Sequence, residues 1–108
     1  MANNVAELDR VFAALADPTR RGIVRRLGRG PASVGELARS VPIALPSFMK
    51  HIRTLEATGL VRTSKTGRVR HCELNRGRFA LIEDWLSDQR RVWEERTDRL
   101  EQFVEEDR

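Results

Sequence analysis

The stretch LPSFMKHIRTLEATGLV, residues 45–61, decides the fold of this 108-residue chain. Phe48, Ile52 and Leu55 recur at spacings of four and three, so they share one side of a helical wheel. Leu45 extends the same apolar stripe by one turn. The stretch therefore predicts an amphipathic helix whose stripe packs on the preceding helix.

Residues at the ends of this helix predict its bounds and its neighbour. Pro46 is typical of a first helical turn, and Gly59 is typical of the position after a last one. Upstream, Ser33 and Glu36 have the spacing of a capping box, which opens a short helix that ends near Ser40. Two short helices joined by a brief turn are typical of a helix-turn-helix.

The outward face of the 45–58 helix is rich in cations and short hydroxyls. Lys50 and Arg53 point away from the apolar stripe, with Ser47 and Thr54 on one flank, and Glu56 is the only acid of the stretch. Such side chains read base edges and hold phosphates in a DNA major groove. The alternative is an ordinary basic surface helix.

Two further helices are predicted upstream. Apolar residues at helical spacing mark residues 4–16, and Asp17-Pro18 then begins a second helix that ends near Leu27. The arginines of this second helix are weaker candidates, some for phosphate contact and others only for solubility: Arg20, Arg21, Arg25 and Arg26.

After Gly59, two strand-like runs surround Thr66-Gly67, which predicts a β-hairpin. The hairpin tip, residues 64–68, resembles a wing, and its cations at alternating positions could grip backbone phosphate or reach into a minor groove. The alternative is that these charges protect an exposed strand edge from aggregation. The candidate contact residues of this wing are Lys65, Arg68 and Arg70.

A long final helix is predicted over residues 79–106, with an apolar heptad seam interrupted by Gln89 and Arg96. The seam exposes too much apolar surface for a small monomer, so it predicts a homodimer in which the first helix takes part. Two recognition helices would then lie about 34 Å apart and read a pseudo-palindrome. The predicted interface residues are Leu8, Phe12, Leu86, Trp93, Leu100 and Phe103.

Charge is distributed unevenly along the chain. Residues 18–72 contain twelve Lys and Arg against two acids, a formal charge of +10, whereas the remainder carries −6. This separation favours a polyanionic partner for the middle of the chain, against the alternative of a solvated charged surface. The apolar runs are too short to span a membrane, and no signal peptide is recognisable. A single cysteine fits a cytoplasmic location.

Metal binding and catalysis are not expected. His71 and Cys72 are adjacent on a strand and face opposite ways, so they cannot share a metal, and Cys72 is expected to be a small core residue. His51 lies at the border of the apolar stripe, which favours a packed or phosphate-contacting ring over a base-reading one. With no glycine-rich phosphate loop and no Ser/His/Asp arrangement, we predict no enzyme and no cofactor.

Four motifs in this order resemble the ArsR-like winged helix-turn-helix repressors of bacteria: ADPTRRGIVRRL, SVGELARSV, LPSFMKHIRTLEATGLV and GRVRHCEL. The resemblance implies a homodimer with the 45–58 helix in the major groove of an operator. By motif position it implies DNA contacts in the recognition helix and the wing, from Ser47, Lys50, His51, Arg53, Arg68 and Arg70.

The sequence departs from the metal-sensing members of this family. The third helix contains no cysteine and the last helix no histidine, so the chain resembles a branch that senses no metal. Met49 stands where many members place serine, and an apolar contact to a thymine methyl is a candidate role.

These features predict a mainly α fold with a small β-hairpin, a winged helix-turn-helix with N- and C-terminal dimerisation helices. Residues 1–108 form one domain, in which 15–74 are the DNA-binding core and 4–16 and 79–106 the dimerisation helices. The predicted function is sequence-specific transcriptional regulation through double-stranded operator DNA, as a dimeric repressor. The alternative is a protein-interaction adaptor that keeps the fold without binding DNA. The sequence does not identify an effector.

Overall fold

The computed structural model describes the backbone of residues 2–106 and the side chains of residues 5–104. Four helices, a hairpin and a final helix follow one another in the predicted order. The elements are α1 (Ala2–Leu15), α2 (Pro18–Leu27), β1 (Ala32–Ser33), α3 (Val34–Arg39), α4 (Leu45–Ala57), β2 (Val61–Thr66), β3 (Val69–Leu74), a 3-10 turn (Arg76–Phe79) and α5 (Ala80–Glu106).

The helix starts follow the local signals in the sequence. The Asp17 carboxylate accepts the backbone N–H of Arg20 at 3.0 Å and caps α2. The Ser33 hydroxyl accepts the backbone N–H of Glu36 at 3.1 Å and caps α3, while its own proton goes to the Glu36 carboxylate at 3.2 Å. Gly59 follows the end of α4 with φ of +82°, a left-handed conformation that favours glycine.

The sheet has one strand more than the predicted hairpin. β1 pairs antiparallel with β3, which gives the strand order β1-β3-β2. β2 and β3 form the predicted hairpin, whose two-residue turn begins at Gly67 with φ of +62°. Glycine at the first turn position is typical of type II′ hairpins. β1 pairs with Cys72 and His71 in the middle of β3 and so joins the hairpin to the start of α3.

The core lies between the helices and one face of the sheet. In α4, Phe48, Ile52 and Leu55 are buried as predicted, but Leu45 is 57% exposed, so its placement on the packed stripe was wrong. The main neighbours of α4 are α2 and β2 rather than α3. The buried apolar residues are Val11, Ala14, Ile23, Leu27, Ala32, Leu37, Phe48, Ile52, Leu55, Leu60, Val61 and Cys72.

The chain is elongated because α5 extends beyond this core. It measures 71 × 30 × 22 Å with a radius of gyration of 19.4 Å, whereas a compact domain of this length has a radius of gyration of about 13 Å. None of the helices within residues 2–106 is long and apolar enough to span a membrane. The order of the elements and the packed hairpin confirm the predicted fold class, a winged helix-turn-helix.

Candidate nucleic-acid interface

The outer face of α4 is a solvent-exposed surface of cations and hydroxyls. Lys50 and Arg53 are exposed opposite the side that holds Phe48 in the core, and Ser47 is exposed on one flank. Thr54 is also exposed, although its hydroxyl donates to the Lys50 carbonyl at 3.0 Å and so has its proton committed to the helix. The helix can therefore present charged donors outward without disturbing its packed side.

The one acid of α4 contacts the wing, by which we mean β2, β3 and the turn between them. The Glu56 carboxylate accepts the hydroxyl proton of Thr63 in β2. The Thr63 oxygen in turn accepts a hydrogen bond from Arg70 Nη1 of β3 at 2.9 Å. This chain of contacts joins α4 to both strands of the wing.

A groove of about 420 Å³ separates the start of α4 from the wing. Met49 is half-buried in it, while Leu45 and Val69 expose apolar surface along its walls. Met49 therefore has two apolar neighbours, Leu45 and Val69, that were not predicted as DNA contacts. Three arginines surround this apolar floor: Arg39, Arg68 and Arg70.

The wing tip carries the remaining predicted cations. Lys65 and Arg68 are exposed beside the turn. Arg62, at the other end of β2, donates to the Asn75 side-chain oxygen at 3.0 Å, so it stabilises the base of the wing. Of the wing cations, Arg68 and Arg70 line the groove between the wing and α4.

Comparison with known proteins identifies the family. A helix-turn-helix domain family matches residues 15–64. The HTH-type transcriptional regulator Rv2034 of Mycobacterium tuberculosis is 40% identical over 85 residues, 79% of this chain and 77% of that protein. The crystal structure of an ArsR family transcriptional regulator superposes with a TM-score of 0.80 at 53% identity, covering 82% of this chain and 92% of the other.

The chain belongs to the ArsR family. The transcriptional repressor SdpR of Bacillus subtilis is a further relative, 31% identical over 68 residues, 63% of this chain and 76% of that protein. The predicted function, DNA-binding transcriptional regulation, is confirmed at the level of this family, and nothing in the fold or in these relatives favours the adaptor.

In this ArsR-family chain, the flank of α4 away from the wing contacts the corner between α1 and α2. His51 is mostly buried there, with Nδ1 3.2 Å from Arg20 Nη1 and 3.7 Å from the Asp17 carboxylate. The hydrogen bond from the Arg20 backbone is the largest cause that lowers the pKa of Asp17. His51 was predicted to be packed or to contact phosphate, and packing on this cluster agrees with that description.

Arg20 and Arg21 cap the end of α1, a role that the sequence analysis missed. Arg20 Nε donates to the Ala14 carbonyl at 2.6 Å, and Arg21 Nη1 donates to the Leu15 carbonyl at 2.9 Å. Both acceptors are backbone oxygens left free by the last helical turn. The sequence signal for Arg20 was slight: an arginine three residues after the capping Asp17.

The potential ligands of a metal remain apart. Cys72 is buried, and desolvation raises the pKa of its thiol, while the neighbouring His71 is exposed on the opposite face of β3. Within the part of the chain that the structure describes, no three His, Cys, Asp or Glu residues come together as a metal site would need. Cys72 is a core residue, as predicted.

The predicted dimerisation residues lie on α1 and along α5. Leu8 is half-buried, and Phe12 packs edge to face on Trp85, with ring centroids 5.5 Å apart. Along α5, the other predicted interface residues are exposed in the single chain, from 40% for Leu86 to 65% for Phe103. These are Leu86, Trp93, Leu100 and Phe103.

Proposed function

We propose that this regulator binds a pseudo-palindromic DNA operator as a homodimer, inserts α4 into the major groove, and represses transcription. The contact residues would be Ser47, Met49, Lys50, His51, Arg53 and Thr54 of α4 and Lys65, Arg68 and Arg70 of the wing. Residues 15–74 would form the DNA-binding core, with 4–16 and 79–106 as dimerisation helices. The chain's relative SdpR, named a repressor, supports the direction of regulation.

The observation that carries this proposal is the division of α4 into a buried apolar side and an exposed cationic side. Lys50 and Arg53 are free to reach a duplex, since neither makes an ion pair with a described residue. A base-reading arginine contributes about 1–3 kcal/mol of discrimination, and each phosphate-bound cation adds salt-dependent affinity. The wing lies beside this face and adds further positive charge.

The apolar surface of α5 supports the homodimer. Trp93 is 57% exposed and Phe103 is 65% exposed, on a helix that extends well beyond the core. An isologous contact with a second chain would bury both residues and set two α4 helices at a fixed spacing. Half-sites on the operator would then be separated by about one helical turn, or about 34 Å.

Genome-wide DNA capture with the full chain tests the proposal. We expect recovered fragments to share an inverted repeat and to bind the purified protein in a gel shift, with two chains per site. The Lys50→Ala, Arg53→Ala double variant should bind these fragments more weakly while it keeps its helical circular dichroism. Recovery of fragments without inverted symmetry, or unchanged binding by the double variant, would contradict the proposed reading mode.

A further inference from the structure

His51 lies at the edge of the exposed cationic side of α4, on the flank of this helix that faces away from the wing. Ser47 and Thr54 are its neighbours on the helix, four residues before and three after it, and both are exposed. The His51 side chain itself is 21% exposed. The ring is therefore held by the protein on one side and reaches the surface on the other.

The contacts of Nδ1 determine which nitrogen carries the proton. Arg20 Nη1 lies 3.2 Å from Nδ1 of His51. Because a guanidinium can only donate, Nδ1 must be the acceptor, and the neutral ring then carries its proton on Nε2.

Nε2 of His51 is open to solvent. Nε2 makes no hydrogen bond with any described residue. Among the described residues, every buried side-chain nitrogen or oxygen does have a hydrogen-bond partner. Both statements hold only if Nε2 is accessible at the surface. The ring thus presents one solvent-accessible N–H donor on the flank of α4 that also carries Ser47.

Arg20 is fixed independently of α4. Its Nε donates to the Ala14 carbonyl at 2.6 Å and its Nη2 to the Ala13 carbonyl at 3.3 Å, both at the end of α1. Its backbone N–H is held by Asp17 at 3.0 Å. The orientation of the His51 ring is therefore set by the corner between α1 and α2.

We infer that His51 donates its Nε2–H to a backbone phosphate of bound DNA, and that Arg20 is the positioning residue that fixes this tautomer. The inference rests on the DNA-binding function proposed above. Phosphate is the expected acceptor because His51 lies close to the buried stripe, about 60° from Phe48 on the helical wheel, and so flanks the surface that would face the bases. Arg20 would thereby connect the end of α1 to a DNA contact.

Two amide substitutions at position 51 test the phosphate contact. Glutamine can place its amide nitrogen where Nε2 lies, whereas the shorter asparagine cannot. On a captured operator at pH 8, we expect His51→Gln to bind within about twofold of the wild type, and His51→Asn and His51→Ala to bind about tenfold more weakly for each half-site, as for one lost hydrogen bond to an anionic phosphate. Thermal melts identify any variant that is unfolded, and the remaining variants then carry the comparison.

The salt dependence separates this contact from a lost charge. A neutral donor releases no counterion, so the slope of log affinity against log salt should not change in His51→Ala, whereas Lys50→Ala should reduce it by about one for each α4 helix bound. Wild-type affinity in both His51→Asn and His51→Ala would overturn the phosphate contact. Failure of the wild type to bind any duplex would instead remove the proposed function as well.

The role of Arg20 is tested by nitrogen-15 NMR of the His51 ring in the free protein. We expect the wild type to show the Nε2–H tautomer at pH 8 and Arg20→Gln to show a mixture. Arg78→Gln is the matched control, because Arg78 also links α1 to the end of α4, through Glu7 and the Thr58 carbonyl, without contacting His51. It should leave the tautomer unchanged.

A double-mutant cycle connects the tautomer to DNA binding. Arg20→Gln should weaken operator binding in the wild-type background and have no further effect in the His51→Ala background, because the two residues act through one contact. Additive losses would assign Arg20 a purely structural role. An Nδ1–H tautomer in the wild type would also overturn the inference.

Discussion

Phe103→Ala should weaken the homodimer strongly, because the side chain exposes most of its surface in the single chain. Phe103 is 65% exposed near the end of α5. Burying a whole phenylalanine side chain is worth about 1.5–3 kcal/mol, so covering the exposed part is worth about 1–2 kcal/mol per copy. A twofold interface contains Phe103 from both chains, so the substitution should reduce the free energy of dimerisation by about 2–4 kcal/mol. This corresponds to about a 30- to 700-fold rise in the dimer dissociation constant.

Sedimentation equilibrium over a concentration series measures this constant directly. Gln102→Ala is the matched control, since Gln102 adjoins Phe103 in the chain but lies on the other side of α5 from the apolar stripe. It should leave the dissociation constant within about twofold of the wild type, as is usual for surface substitutions. A wild-type chain that sediments as a monomer at micromolar concentration, or equal constants for both variants, would refute the role assigned to α5.

Three further predictions concern the core and its edges. Ile52→Ala should lower the free energy of unfolding by about 2–5 kcal/mol in urea, because the side chain is fully buried. The pKa of Asp17 is lowered in the folded chain, so the ionised carboxylate stabilises the fold at pH values above its ordinary pKa of 3.8. This stabilisation is lost as the pH falls through the lower pKa of the folded state. The Tm difference between the wild type and Asp17→Asn should therefore shrink in acid. Buried Cys72, its pKa raised, should react with iodoacetamide only as fast as the chain opens.

Local signals were enough to predict the helices and the hairpin. The periodicity of Phe48, Ile52 and Leu55 identified the buried side of α4, and the capping residues Asp17 and Ser33 identified two helix starts. Each of these signals depends on residues a few positions apart. The structure confirmed them because the spacing of residues along a helix fixes the side of the helix on which each of them lies.

Features that depend on distant residues were not predicted. β1 pairs with a strand far along the chain, and two residues carry no periodicity that could reveal it. Leu45 has the wheel angle of a core residue, but it stands at the first turn of α4, where the body of the protein no longer covers the helix. The contacts of Arg20 and Arg21 were missed because their acceptors are backbone carbonyls. Every residue has such a carbonyl, so the sequence does not indicate which of them accepts a hydrogen bond.

The salt dependence of operator binding by the Lys50→Ala, Arg53→Ala variant tests the central claim most directly. If both cations meet DNA, fluorescence anisotropy should show a salt slope smaller by about two for each α4 helix bound. The charge-preserving Lys50→Arg, Arg53→Lys pair is the control and should keep the slope of the wild type while losing discrimination against unrelated duplexes. An unchanged slope and affinity in the alanine variant would contradict the account.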